Sequence, residues 1–391
     1  MSKGERRLPF ALVLACALAL GGATPPGREG EAGPAPRGRA GAAGEGGWRL
    51  ALPGYRFRFP RDHFAHPAFR TEWWYYTGHL EGPGQKRFGF QLTFFRSGLR
   101  PPGRDELRSR WALRNLYFAH FALSDLAARQ HRYFERMSRG SLGEAGAEES
   151  KWRVWVGNWR LTGRGEEQRI EAEEGGGGVR LSLRLRPLKP LVVHGLDGIS
   201  RKGEGRGRAS HYYSFTRLRA EGKLRLGGRS LPVAGEAWMD HEFGSNQLAD
   251  DQVGWDWFGL QLADGSELML YLIRREDGSP DPYSSGTYIA PDGRGEHLPL
   301  AAFRVEPLGR WRSPASGGTY PMGWRVAVPD AGLRLKVLPA FESQELDTRA
   351  STRVIYWEGA VRVEGERRGT PIRGRGYVEM TGYAGRFRRR F

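Results

Sequence analysis

The chain has 391 residues, a length that usually makes two domains of about 150 residues each, and its 13 Trp, 14 Tyr and 19 Phe are ample for two cores. A net charge of +17 invites a nucleic-acid partner, but arginine is spread along the whole chain and not gathered on one stripe, which argues against that class and for a solvated basic surface, with weak attraction to anionic membrane headgroups as the alternative. The single cysteine, Cys16, excludes an intrachain disulfide, so the fold must stand on packing alone.

In chain order, Lys3, Arg6 and Arg7 form a positive start and residues 8–20 are nearly all apolar. A charged head before an apolar stretch of this length predicts a secretory signal over residues 1–22, too short for a comfortable membrane span. Val13-Leu14-Ala15-Cys16 resembles a bacterial lipoprotein box. Lipidation of Cys16, with membrane association through the N-terminus, therefore stands beside ordinary cleavage and release to the periplasm. Residues 23–47 are Gly, Pro, Ala, Arg and Glu without periodicity, a flexible linker.

From Tyr55 onward strand signals dominate. Phe57 and Phe59 alternate with Arg56 and Arg58. Strands follow at residues 71–80, 88–95, 115–123, 152–161 and 179–185, then at 210–218, 223–226, 235–240, 255–262 and 267–274, and further along to 374–381. Asp264-Gly265, Asp277-Gly278, Asp292-Gly293 and Gly227-Gly228 supply turn chemistry between them. Residues 124–137 read as a short helix or a charged hairpin, 163–178 as a loop or frayed hairpin, and 187–207 as a loop. Many short strands at this spacing predict an all-β protein of sandwiches or barrels.

Three segments carry chemistry-bearing residues among large aromatics: Glu72 to Leu80, Gly235 to Gly244 and Gly254 to Leu262. Alternation puts Glu72, Trp74 and Tyr76 on one face of a strand. It groups Glu236, Trp238, Asp240 and Glu242 on another, with Met239, His241 and Phe243 opposite. Trp255 and Trp257 share a face, and Asp256 opposes them. A carboxyl in an apolar aromatic wall has a raised pKa, because burial disfavours the charged form. Such a group can donate a proton near neutral pH, and indole faces stabilise a developing cation. The structural alternative is that these carboxylates accept hydrogen bonds from Trp, Tyr, Arg or backbone donors, and that His120, alone in an apolar strand, is a satisfied core residue. Adjacent donors such as Asp240-His241-Glu242 point apart on a strand, and no HExxH or CxxC is present, so no metal is expected. No Gly-x-Ser-x-Gly elbow and no phosphate loop appear, and no cofactor is expected.

These segments resemble the AttH-like and carotenoid 1,2-hydratase family of secreted bacterial proteins. The matching pieces are Glu72-Trp73-Trp74-Tyr75-Tyr76-Thr77-Gly78-His79-Leu80, Gly89 to Arg96, Ala119 to Asp125, Gly235 to Gly244, Gly254 to Leu262 and Tyr377 to Tyr383. The resemblance implies two lipocalin-like (calycin-type) β-barrel domains packed together, over residues 48–245 and 246–391. It also implies export, an apolar small-molecule ligand such as a carotenoid or lipid, and ABC-type transporter components as partners. Carried over by position, Asp240 and His241 become the acid–base candidates. Trp238, Trp255, Asp256, Trp257 and Tyr271 join Glu72, Trp74, Tyr76 and His120 as ligand-binding candidates. Phe243 stands where the hydratase branch is expected to carry indole, and Leu268 to Ile273 keeps a tyrosine without a carboxylate beside it, which draws the chain toward the AttH-like branch. Three functions stay open: carotenoid-hydratase-like water addition, ligand binding beside a transporter, and hydrolysis.

Overall fold

Asp-Gly pairs set the rhythm of this all-β chain. Asp264, Asp277 and Asp292 each accept a hydrogen bond from the backbone N–H two residues on, at 2.9, 2.9 and 3.1 Å, and the glycine that follows each has positive φ. Strands run between such turns. A computed structural model describes residues 45–103, 113–174, 176, 178–246 and 248–385, which fall in one compact unit. The predicted signal segment, Cys16 and most of the linker lie outside the described residues. No described helix is long and apolar enough to cross a membrane.

Among the described residues, thirteen strands between Thr71 and Gly244 form one antiparallel sheet, and ten between Gln252 and Thr381 form a second. In the first, Thr71–Gly82 lies between Lys86–Gly98 and Arg229–Gly244, and Tyr75 stands opposite Asp240. Arg136, on the edge strand Gln130–Ser138, reaches across to the other end of the sheet: it donates to Glu174 at 2.7 Å and lies 4.5 Å over the Trp159 ring. In the second sheet Gln252–Leu262 pairs with Glu267–Arg275 and Thr370–Thr381. The result is two lipocalin-like barrels packed against each other.

Period-two alternation fills both interiors with side chains. Trp74, Tyr76, Phe90, Phe94, Phe121 and Met239 pack inside the first barrel, and Phe258, Leu270, Trp324, Val337 and Trp357 inside the second. A third cluster, containing Tyr75, Tyr212, Trp238, Trp257 and Tyr271, lies where the outer faces of the two sheets meet. Glycine permits one of the closest approaches: a Cβ at Gly89 would strike the Tyr377 hydroxyl and sit 3.0 Å from Ala360 Cβ.

One local expectation needs correction, and two are narrowed to the hairpin alternative. Residues 55–58 join no sheet; Tyr55 stacks on His211 with ring centroids 3.9 Å apart, and Phe57 packs edge-on to Tyr213, so their alternation caps a barrel end. The charged stretch 163–178 holds a full strand, Glu167–Glu174, because Gln168, Ile170 and Ala172 turn inward between its charged residues. The stretch 124–137 is a hairpin that ends in the strand Gln130–Ser138.

Candidate active site

A cavity of about 170 Å³ lies between the two barrels, not inside either of them. Its walls come from the outward faces of strands in both sheets. Tyr75, Tyr212, Asp240 and Glu242 arrive from the first barrel; Trp255, Trp257, Tyr271, Glu358 and Glu379 arrive from the second; Lys202 enters from the loop before strand Ala209–Leu226. Partly exposed Trp73, Leu248, Trp255 and Thr352 mark where the cavity meets solvent. Hydrogen bonds across the barrel junction fix its shape. Tyr75 Oη donates to Glu358 at 2.8 Å, Trp257 Nε1 donates to Tyr212 Oη at 3.1 Å, and His120 Nδ1 meets Tyr356 Oη at 2.9 Å.

Asp240 is held by three side-chain donors. Tyr212 donates to it at 2.7 Å and Trp238 Nε1 at 2.6 Å, and Ser214 Oγ donates as well. Those donors favour the carboxylate, but burial outweighs them and Glu242 adds like-charge repulsion, so its pKa rises to about 7. Behind Ser214 stands His194, 2.7 Å away through Nε2, whose Nδ1 meets Thr287 of the second barrel at 2.8 Å. Burial lowers the His194 pKa to about 3, so the ring is neutral. Glu379 accepts from Trp255 Nε1 at 3.2 Å and is likewise pushed to about 7, by burial and then by the nearby acids. Burial and Glu379 raise Glu358 well above the carboxylate range. Lys202 lies 3.4 Å from Glu242 and 3.9 Å above the Tyr271 ring. Burial works against its charge, but Glu242 and its other neighbours raise its pKa.

The predicted residues divide by face. Asp240, Trp255, Trp257, Tyr271 and His120 line the cavity, and Trp238 sits in the junction cluster bonded to Asp240. His120 is satisfied on both nitrogens, by Tyr356 and by Ser351 at 3.1 Å. His241 does not join Asp240: one residue further along the strand, it faces the first barrel's interior, bonded to Glu72 at 2.9 Å and Tyr213 at 3.1 Å. Trp74 and Tyr76 also face that interior; Trp74 stacks on His241, and Tyr76 Oη donates to Gln168 at 2.7 Å. Asp256 points to the end of the second barrel, where Arg274 and Tyr383 hold it.

Glu72 borders the cavity, but its carboxylate is occupied elsewhere, by His66, His241 and Arg96. Burial would raise its pKa; the bonds from His241 and His66 and the Arg96 charge hold it well below the usual range. His66 Nδ1, Glu72 Oε1 and His241 Nε2 are the one group of described residues able to converge on a metal ion. They lie 2.8 and 2.9 Å apart, at hydrogen-bond distance. Ligands at about 2.0–2.1 Å from a tetrahedral zinc would stand about 3.3 Å apart. The triad also carries the Arg96 charge, so its geometry is that of an ionic hydrogen-bond network tying residues 61–70 to the barrel end.

Glu358, Glu379, Glu242, Lys202, Tyr75 and Tyr212 were not among the sequence candidates. Alternation was the available signal for two of them: Tyr356 and Glu358 share one face of their strand, and Tyr377, Glu379 and Thr381 share one face of theirs.

Comparison with known proteins follows the same segments. The family model described as AttH-like matches residues 50–383. The chain belongs to the AttH-like family. A crystal structure assigned as an AttH, from Nitrosomonas europaea, is 36% identical with a TM-score of 0.76, covering 85% of this chain and 98% of that one. Kievitone hydratase from Nectria haematococca shares the fold at 15% identity and a TM-score of 0.64, covering 88% and 96%. CghA with Sch210972 aligns at 14% identity and a TM-score of 0.50, covering 86% and 97%. No curated protein matches the sequence.

Proposed function

We propose that this AttH-like protein adds water to a carbon–carbon double bond at one end of an apolar chain held between the barrels. The observation that supports the reading is Asp240, a carboxyl that burial in an aromatic wall keeps titrating at about 7. In its neutral form it gives its proton to one alkene carbon. The π pair becomes the new C–H bond, and the neighbouring carbon becomes a cation. The faces of Trp255 and Trp257 and the carboxylate left behind stabilise that charge. Water adds through a lone pair, its surplus proton returns to a carboxylate, and an alcohol leaves. The addition is redox-neutral, so no redox cofactor takes part. Glu379, titrating in the same range, is the second candidate for handling the water's proton. His241 has no role in this scheme, because it lies on the other face of the strand.

Volume limits the substrate. A cavity of about 150 Å³ holds benzene, so about 170 Å³ takes one isoprenoid end. The remainder of an acyclic carotenoid would pass out between Trp73, Leu248 and Trp255. The fold is also that of a protein named as a hydratase. In this reading the protein works outside the cytoplasm, in the periplasm or tethered by a lipidated Cys16, beside an ABC-type transporter. Cys16→Ser then releases it to the soluble fraction.

Incubation of the purified protein with acyclic carotenes and shorter prenyl alkenes tests the chemistry. A product heavier by one water, absent with Asp240→Asn, is expected. Carotenes that co-purify and stay unchanged would instead make the protein an apolar-ligand carrier.

A further inference from the structure

The cavity holds more carboxyl groups than it pairs with cations. Four carboxyls face it, Asp240, Glu242, Glu358 and Glu379, and Lys202 is paired with only Glu242. Glu358 and Glu379 stand directly opposite each other on neighbouring strands. Like charges at such positions destabilise a sheet. No cation pairs with either among the described residues. Glu358 is 1% exposed, and its Oε1 accepts from Tyr75, but its Oε2 has no hydrogen-bond partner. A buried unpaired carboxyl oxygen beside a second acid marks an unfilled position, since such atoms are otherwise nearly always bonded.

We propose that this position binds a protonated organic amine with an apolar arm, its ammonium at Glu358 and Glu379 and its arm along Trp255 and Trp257. The chemistry of the wall selects this class. Aromatic faces attract weakly hydrated organic cations. The resident Lys202 ammonium is already held in this way at the other end of the cavity, 3.9 Å over Tyr271 and 5.2 Å from the Tyr212 ring. A neutral alcohol could satisfy Glu358 Oε2 but brings no charge to stabilise the two acids in their ionised form. The inference rests on the same site as the hydration reading and deepens it, because an ammonium ion carries the charge that an alkene acquires on protonation.

Binding is linked to protons. From the first barrel Tyr75, Tyr212, Asp240 and Glu242 face the position, and Lys202 enters from its loop. From the second barrel Tyr356 stands beside Glu358 and Glu379, with His120 and Glu135 behind Tyr356 and Asp256 on the reverse face. A cation entering near neutral pH ionises acids that were partly protonated, so protons leave and affinity rises as pH climbs through 7.

Titration calorimetry of the whole protein with hexylammonium chloride and, separately, hexan-1-ol tests this in two buffers of different ionisation enthalpy. Hexylammonium is expected to bind at least about tenfold more tightly than hexan-1-ol, with a heat that depends on the buffer. Glu358→Gln should remove most of that preference and leave alcohol binding in place. Equal affinities, or ammonium binding with no proton release, would overturn the proposal. If Glu358→Gln does not fold, as judged by near-ultraviolet circular dichroism, the two-buffer comparison on the unaltered protein decides. A hydration product with no ammonium preference sinks this inference alone; ammonium binding with no product sinks only the hydration reading.

Discussion

Replacing Asp240 with Asn should change stability in a way that depends on pH. Asp240 has its folded pKa raised from 3.8 to about 7. Its stabilising contribution is therefore complete below 3.8 and is lost progressively as pH rises through 7. Each pKa unit corresponds to about 1.4 kcal/mol, so the penalty grows to about 4 kcal/mol once the group is ionised in both states. At about pH 5 it is only about 1.6 kcal/mol by the same arithmetic. Asn carries no such penalty, but it forfeits one or two of the bonds from Tyr212, Ser214 and Trp238, at about 1 kcal/mol each. That loss is the same at both pH values and cancels in the comparison. The stability of Asp240→Asn relative to the parent should thus improve by about 2–3 kcal/mol between about pH 5 and about pH 8. Urea unfolding followed by tryptophan fluorescence at both pH values measures it. An identical difference at the two would refute the reasoning, because it would mean that Asp240 ionises as it does in water.

Other outcomes follow from the same contacts. Glu72→Gln leaves Arg96 buried without its anion and should cost about 3–5 kcal/mol, seen as a lower thermal midpoint. His63, His120 and His194 are held neutral by burial, with pKa values of about 3. Their stabilisation is complete above 6.5 and drains away as pH falls toward 3, so unfolding free energy should drop steeply below about pH 6; a flat profile there would contradict the burial argument. Gly89→Leu drives a side chain into Tyr377 and Ala360. It should loosen the barrel junction at a cost of about 1–3 kcal/mol and weaken ligand binding, as fluorescence titration would record.

Most strands were legible because short runs rich in aromatic and β-branched residues are separated by Asp-Gly and Gly-Gly turns, and alternation made the shared face of Trp238, Asp240 and Glu242 legible. Pairing Asp240 with His241 failed for the same geometric reason: neighbours on a strand point to opposite sides of the sheet. Alternation also cannot say which face is a barrel interior and which meets a second barrel. Trp74 and Tyr76 were chosen over Trp73 and Tyr75 for that reason. The acids of the second barrel were hidden by distance along the chain, since Tyr75 and Glu358 are 283 residues apart yet share a hydrogen bond. His66 gave no pattern because its partners, Asp62 and Glu72, meet it only when residues 61–70 fold over the barrel end.

Infrared titration of the carboxyl groups is the most direct check. Near pH 7 the protein should show the carbonyl stretch of protonated acids, diminished separately by Asp240→Asn and by Glu379→Gln. Acid bands that are gone before the pH reaches about 5, in the range of solvated carboxyls, would mean that water fills the space between the barrels and that no neutral proton donor exists there.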